Sequence, residues 1–100
     1  MSITRINDFT AAGGREAELR EFLLSVIAMV EDAAGCLGAE LLVDHENPAH
    51  LVIVERWRDI AAHQAAASLI PPAKLAEVRP LLGAPPKGVY YGPAADERPF

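Results

Sequence analysis

Residues 36–58 read CLGAELLVDHENPAHLVIVERWR. Cys36–Val43 and Leu51–Arg58 read as two strands, the second β-branched and near-continuously apolar at its start. Between them lies DHENPAH, where Asp44, Asn47 and Pro48 each favour a turn. Two such runs with so short a connection form an antiparallel hairpin. Upstream, Ile3, Arg5, Asn7 and Phe9 alternate with Thr4, Ile6 and Asp8, the period of a strand over Thr4–Phe9. Gly13–Gly14 breaks the chain, and a helical period follows from Arg15 to about Ala34. Its apolar stripe is Leu19, Phe22, Leu23, Val26, Met29, Val30 and Ala33. Glu16 and Glu18 suit the positive end of that helix, and Gly35 suits its left-handed stop. Downstream, Asp59 is placed to cap a helix over IAAHQAAASL. Pro71–Pro72 ends that helix and opens a shorter one over about Ala73–Leu82. KGVYYG, from Lys87, reads as a last short strand.

The order is strand, helix, strand, strand, broken helix, strand. That is the split β-α-β pattern of an α+β, ferredoxin-like sandwich, an antiparallel sheet with its helices on one face. One face of the sheet is then bare. Val52, Val54, Leu41 and Val43, or their alternates, are the apolar residues expected there. A bare apolar face of that size marks an interface, so the chain is expected to form a homodimer, sheet against sheet.

The 100 residues suffice for one domain. It is expected over residues 1–92, with the aperiodic tail 93–100 flexible or laid on the partner subunit. Alanine fills 18 of the 51 apolar positions, so the core is thin and association would help it. The net charge of −5 argues against nucleic acid and anionic membrane as partners, since both need a basic face. One cysteine excludes an internal disulfide. No apolar run reaches membrane length, and MSITRINDF lacks the pattern of a signal peptide, so a cytoplasmic setting is expected.

The segment GCLGAELLVDHENPAHLVIVERWRDIAAHQAAAS resembles the centre of the antibiotic biosynthesis monooxygenase family. The resemblance rests on the Ala-Gly-Cys start of the hairpin, the ENP turn and the VERW end of the third strand. GGREAELREF before it and LLGAPPKGVYY after it fit as well, so the likeness spans about Ile3–Gly92. It implies a dimeric α+β barrel of two ferredoxin-like subunits, each with a pocket between sheet and helices. Some members oxidise polyketide-type aromatics or quinols with O2 and no cofactor. Others bind or degrade haem.

Several residues take roles from this resemblance. Trp57 matches a tryptophan held to be catalytic in the polyketide oxidisers; it is either a pocket wall for a flat aromatic or a core residue beneath a helix. His63 stands where those relatives carry a polar aromatic side chain. It suits a base for a phenol or quinol proton, or else it is a solvated helix residue. Asn7 would fix a substrate oxygen, or bond backbone at a strand end. Ile53 occupies the substrate-facing position where the oxidisers have an asparagine, and it removes a polar partner. Arg79 and Tyr91 are candidates to reach the substrate from the short helix and the last strand. Because Tyr90 and Tyr91 face opposite ways, only one of them enters the pocket. The haem degraders need a Trp and a His near Ala66 and Ala76, which disfavours that reading.

No flavin, nicotinamide or phosphate-loop motif is present, so no cofactor is expected. His45, Glu46 and His50 bracket a turn without a third ligand of fixed geometry, so no metal is expected either. Cys36 reads as a small buried residue. The expected function is cofactor-independent monooxygenation of an electron-rich aromatic. The alternatives are a non-catalytic ligand-binding protein of the same fold and a haem-binding or haem-degrading relative.

Overall fold

The computed structural model describes residues 2–95; the end of the expected tail lies outside the described residues. Strands β1 (Ile3–Thr10), β2 (Cys36–Val43), β3 (His50–Trp57) and β4 (Lys87–Tyr91) form one antiparallel sheet in the order β2-β3-β1-β4. Helices α1 (Glu16–Val30), α2 (Ile60–Ala67) and α3 (Pro72–Val78) complete the ferredoxin-like order, with a 3-10 turn at Arg79–Leu81.

Alternation along β3 sorts the two faces. Leu51, Ile53, Glu55 and Trp57 turn to the helices and are buried. Leu51 and Ile53 pack with Leu19, Leu23, Ile27, Ala11 and Leu81. Trp57 packs with Val30, Ala62 and Ala66 in a second cluster. Val52 and Val54 point the other way, beside Asp8 and Ile6 of β1. Register puts Leu42 opposite Val52 and Leu41 opposite Ile53. On β2 the bare-face residue is thus Leu42, the alternate; Leu41 and Val43, expected there, belong to the helix side, Leu41 packed on the core.

Two helix limits differ from expectation. The buried stripe of α1 is Leu19, Leu23, Ile27 and Val30, so Ile27 replaces Met29, which is 45% exposed. The helix ends at Val30, and tight turns carry the chain to β2 through Ala33 N–H to Val30 O and Cys36 N–H to Ala33 O. The last helix stops at Val78 because Pro80 has no N–H to continue it, and the chain tightens into the 3-10 turn. Asp59 caps α2 as expected, its carboxylate accepting from Ala62 N–H at 2.8 Å.

Gly35 does not terminate α1; it seats β2 against α2. Its φ is +85°, its carbonyl accepts from Arg58 N–H at 2.8 Å, and an added Cβ would stand 2.6 Å from Ala62 Cβ. Both the backbone angle and the space demand glycine. Gly35→Ala is expected to destabilise by about 2 kcal/mol and lower the Tm by roughly 10 °C in a thermal melt.

His50 links three segments at one end of the sheet. Its Nε2 lies 2.7 Å from Asp8 Oδ1 and its Nδ1 3.0 Å from Asp44 Oδ2. Both contacts are hydrogen bonds only when the ring is protonated. The Asp44 and then the Asp8 bonds raise the His50 pKa above 6.5, and His50 in turn lowers that of Asp44. The stability that His50 adds is therefore complete below pH 6.5 and fades as pH rises through its folded pKa. The Asp44 part fades as pH falls through that group's depressed value. In urea titrations, His50→Ala is expected to differ most from wild type between about pH 5 and 6 and least above pH 8.

Candidate active site

Four side chains form a file from the core toward the β4 edge. Trp57, fully buried at the end of β3, donates its Nε1–H to Glu55 Oε1 at 2.8 Å. The two residues are two apart on one strand and so share a face. Glu55 Oε1 lies 3.8 Å from His63 Nε2. His63, from the second turn of α2, has its Nδ1 2.6 Å from the Tyr90 hydroxyl. Its ring meets those of Trp57 and Tyr90 edge-on, with centroids 5.5 and 5.3 Å apart.

Arg5 closes the file from β1. Its guanidinium stands 4.5 Å from the Tyr90 ring centroid, and its Nε donates to Asn7 Oδ1 at 3.0 Å. This placement needs Gly88, which pairs with Asn7 across the strands. A Cβ at Gly88 would collide with the Arg5 guanidinium and stand 2.7 Å from Asn7 Oδ1.

Electrostatics divide the two central groups. Burial pushes the Glu55 carboxyl up from its ordinary range, partly offset by the Trp57 N–H and by Arg5. Burial, and then the Arg5 charge, hold His63 below its ordinary value, so it is neutral at pH 7. The Glu55 contact, at 3.8 Å, is too long for a hydrogen bond and does not reverse this. A neutral histidine against a phenol is chemically a proton acceptor.

The expected site residues separate. Trp57, His63 and Asn7 lie in or beside the file. Trp57 enters as a buried strut whose N–H is already engaged, so in this conformation it offers a substrate neither its N–H nor its face. Ile53 is 2% exposed in the Leu19–Leu23 cluster, packed as core. Tyr91 is 50% exposed and turns to the open face, opposite Thr4, while Tyr90 faces the helices. The strand's alternation, which allowed only one of the pair, selects Tyr90. Arg79 lies elsewhere, in a groove of about 500 Å³ lined by Leu75, Val78, Leu82 and the loop through Pro86. His50 is committed to its two aspartates. Sequence reasoning missed Glu55 and Arg5, and took Tyr91 where Tyr90 faces the helices. The available signal was parity: a glutamate two before Trp57 on a helix-covered face, and an arginine sharing a face with Asn7.

The family model described as "Antibiotic biosynthesis monooxygenase" matches residues 2–69, more than half of the chain. Among solved structures, Rv0793 from Mycobacterium tuberculosis is similar at 22% identity and TM-score 0.83, covering 98% of this chain and 100% of that one. PA3566 from Pseudomonas aeruginosa is similar at 29% identity and TM-score 0.77, covering 93% and 95%. A mutant of SnoaB, a cofactor-independent oxygenase from Streptomyces nogalater, is similar at 20% identity and TM-score 0.79, covering 94% of each chain. Likeness at 20–22% identity speaks for the fold alone. No curated protein matches the sequence. Among the described residues, no helix is long and apolar enough to cross a membrane.

The environments of His63 and His50 lead to a direct spectroscopic expectation. In an NMR pH titration, His63 titrates below 6.5 and His50 above it. Arg5→Gln raises the His63 midpoint and leaves that of His50 in place.

Proposed function

The chain belongs to the antibiotic biosynthesis monooxygenase family, and on that premise we propose that it is a cofactor-independent monooxygenase for an electron-rich aromatic. A hydroquinone or a polyketide-type phenol fits. For an anthrone-type substrate the net step turns a ring CH2 into C=O: one oxygen atom of O2 enters the carbon, and the other leaves as water with the two hydrogens. The ionised substrate supplies the electrons, so the protein's task is to bind, to exclude water and to take a proton.

The observation that carries this reading is the neutral His63 held between a buried carboxyl and a phenol. A base poised below neutrality accepts a proton at working pH, and Arg5 offers a cation to the phenolate that results. Asn7, bonded to Arg5, supports that cation's position. The homodimer belongs to the same reading. Ile6, Val52, Val54 and Val89 leave an apolar open face with no helix over it, which a second copy would cover. A cytoplasmic setting fits the single free thiol, Cys36.

A second reading is a ligand-binding protein without turnover. It is favoured by the complete burial of Trp57 and Ile53, which withdraws two positions from any substrate. Oxygen uptake by metal-stripped protein with a panel of hydroquinones and anthrone-type phenols separates the two. We expect uptake well above the uncatalysed rate, reduced about 100-fold in His63→Ala. Trp57→Phe, which strips Glu55 of its donor, is expected to reduce it as well. Saturable binding with no uptake from any member of the panel would establish the second reading.

A further inference from the structure

We infer that Tyr90, rather than His63, is the catalytic residue that meets the substrate's proton, and that His63 stands behind it as the acceptor of a relay. This rests on the monooxygenase reading and specifies its proton path. Both His63 nitrogens are turned to protein partners: Nδ1 to the Tyr90 hydroxyl at 2.6 Å and Nε2 to Glu55 at 3.8 Å. The His63 side chain is only 14% exposed. In neutral His63 the arrangement calls for one tautomer, with the proton on Nε2 facing the carboxyl and Nδ1 accepting from Tyr90 O–H. Exposure rises along the file, from buried Trp57 and Glu55 to half-buried His63 and Tyr90, and the file ends at the Tyr90 phenol on the edge strand β4.

The step balances without a further reagent. The substrate O–H bond breaks and its proton passes to the Tyr90 oxygen as the Tyr90 proton passes to His63 Nδ1. The electron pair stays on the substrate, which reduces O2 and forms the carbon–oxygen bond of a peroxide anion. The imidazolium returns its proton by the same path to the peroxide, which eliminates water and leaves the carbonyl. Arg5 stands over the Tyr90 ring, so negative charge developing on its oxygen during the exchange is matched by a cation.

Tyr90→Phe keeps the ring under Arg5 and removes only the hydroxyl. With an anthrone-type phenol, kcat is expected to fall about 100-fold with KM within roughly twofold. The loss should shrink as pH rises past the substrate's own pKa, since a pre-ionised phenol needs no acceptor. A merely structural Tyr90 would not produce that pH dependence. Independently of turnover, imidazole 15N shifts of the wild type should report His63 protonated at Nε2. An active wild type with unchanged kcat in Tyr90→Phe, or a His63 protonated at Nδ1, overturns the relay alone. A wild type that consumes no oxygen with any substrate overturns the monooxygenase reading and the relay with it.

Discussion

Glu55 is 5% exposed, on the side of β3 that the helices cover. A carboxyl in such a place is costly unless donors meet it, and the donor here is the Trp57 indole N–H, two residues along the same strand. The bond serves both partners, because the indole N–H is just as buried and has no other acceptor among the described residues. It also fixes which edge of the indole meets His63, and through His63 the place of the Tyr90 hydroxyl. The second cluster is therefore organised around a polar bond inside apolar packing, with Val30, Ala62 and Ala66 filling in around the ring. Small alanines on α2 permit this, since they bring the helix close to the sheet at Trp57.

The two halves of the interior differ in kind. The buried residues around Leu19, Leu23, Leu51 and Ile53 are all aliphatic. The cluster at Trp57 is aromatic and leads to a carboxyl, an imidazole, a phenol and a guanidinium. Burial moves the first two of these in ways that leave the imidazole neutral. The aliphatic half holds most of α1 on the sheet, and the titratable groups gather in the other half.

Strand order, the hairpin at Asp44–His50, the Asp59 cap and the helix opened at Pro72 were legible because each rests on local chemistry: period, turn residues, a capping carboxylate, a missing N–H. Helix ends were less so. Gly35 looks like a stop but is demanded by Ala62, a residue distant in the chain. Met29 and Ile27 both fit a helical stripe, and only the packing of Leu19, Leu23 and Val30 chooses between them. In the site, Trp57, His63 and Asn7 stood out by residue type. Glu55 and Arg5 were passed over because a charged residue in a strand reads as solvated. Tyr90 was not separable from Tyr91, because the sense of β4 depends on its pairing with β1. The family signal pointed to Ile53 as substrate-facing, but an aliphatic side chain at an inward position joins the core.

Glycine inside a strand weakens it, having no side chain to pack and more chain entropy to lose on folding. Gly88 is the second residue of a five-residue edge strand that, among the described residues, pairs only with β1. The absent side chain there is what admits the Arg5 guanidinium above Tyr90. A Cβ there would displace the guanidinium, so position 88 sets strand preference against the placement of the cation. A stabilising engineering effort guided by strand preference alone would choose this glycine early, and would drive the cation from above the Tyr90 ring.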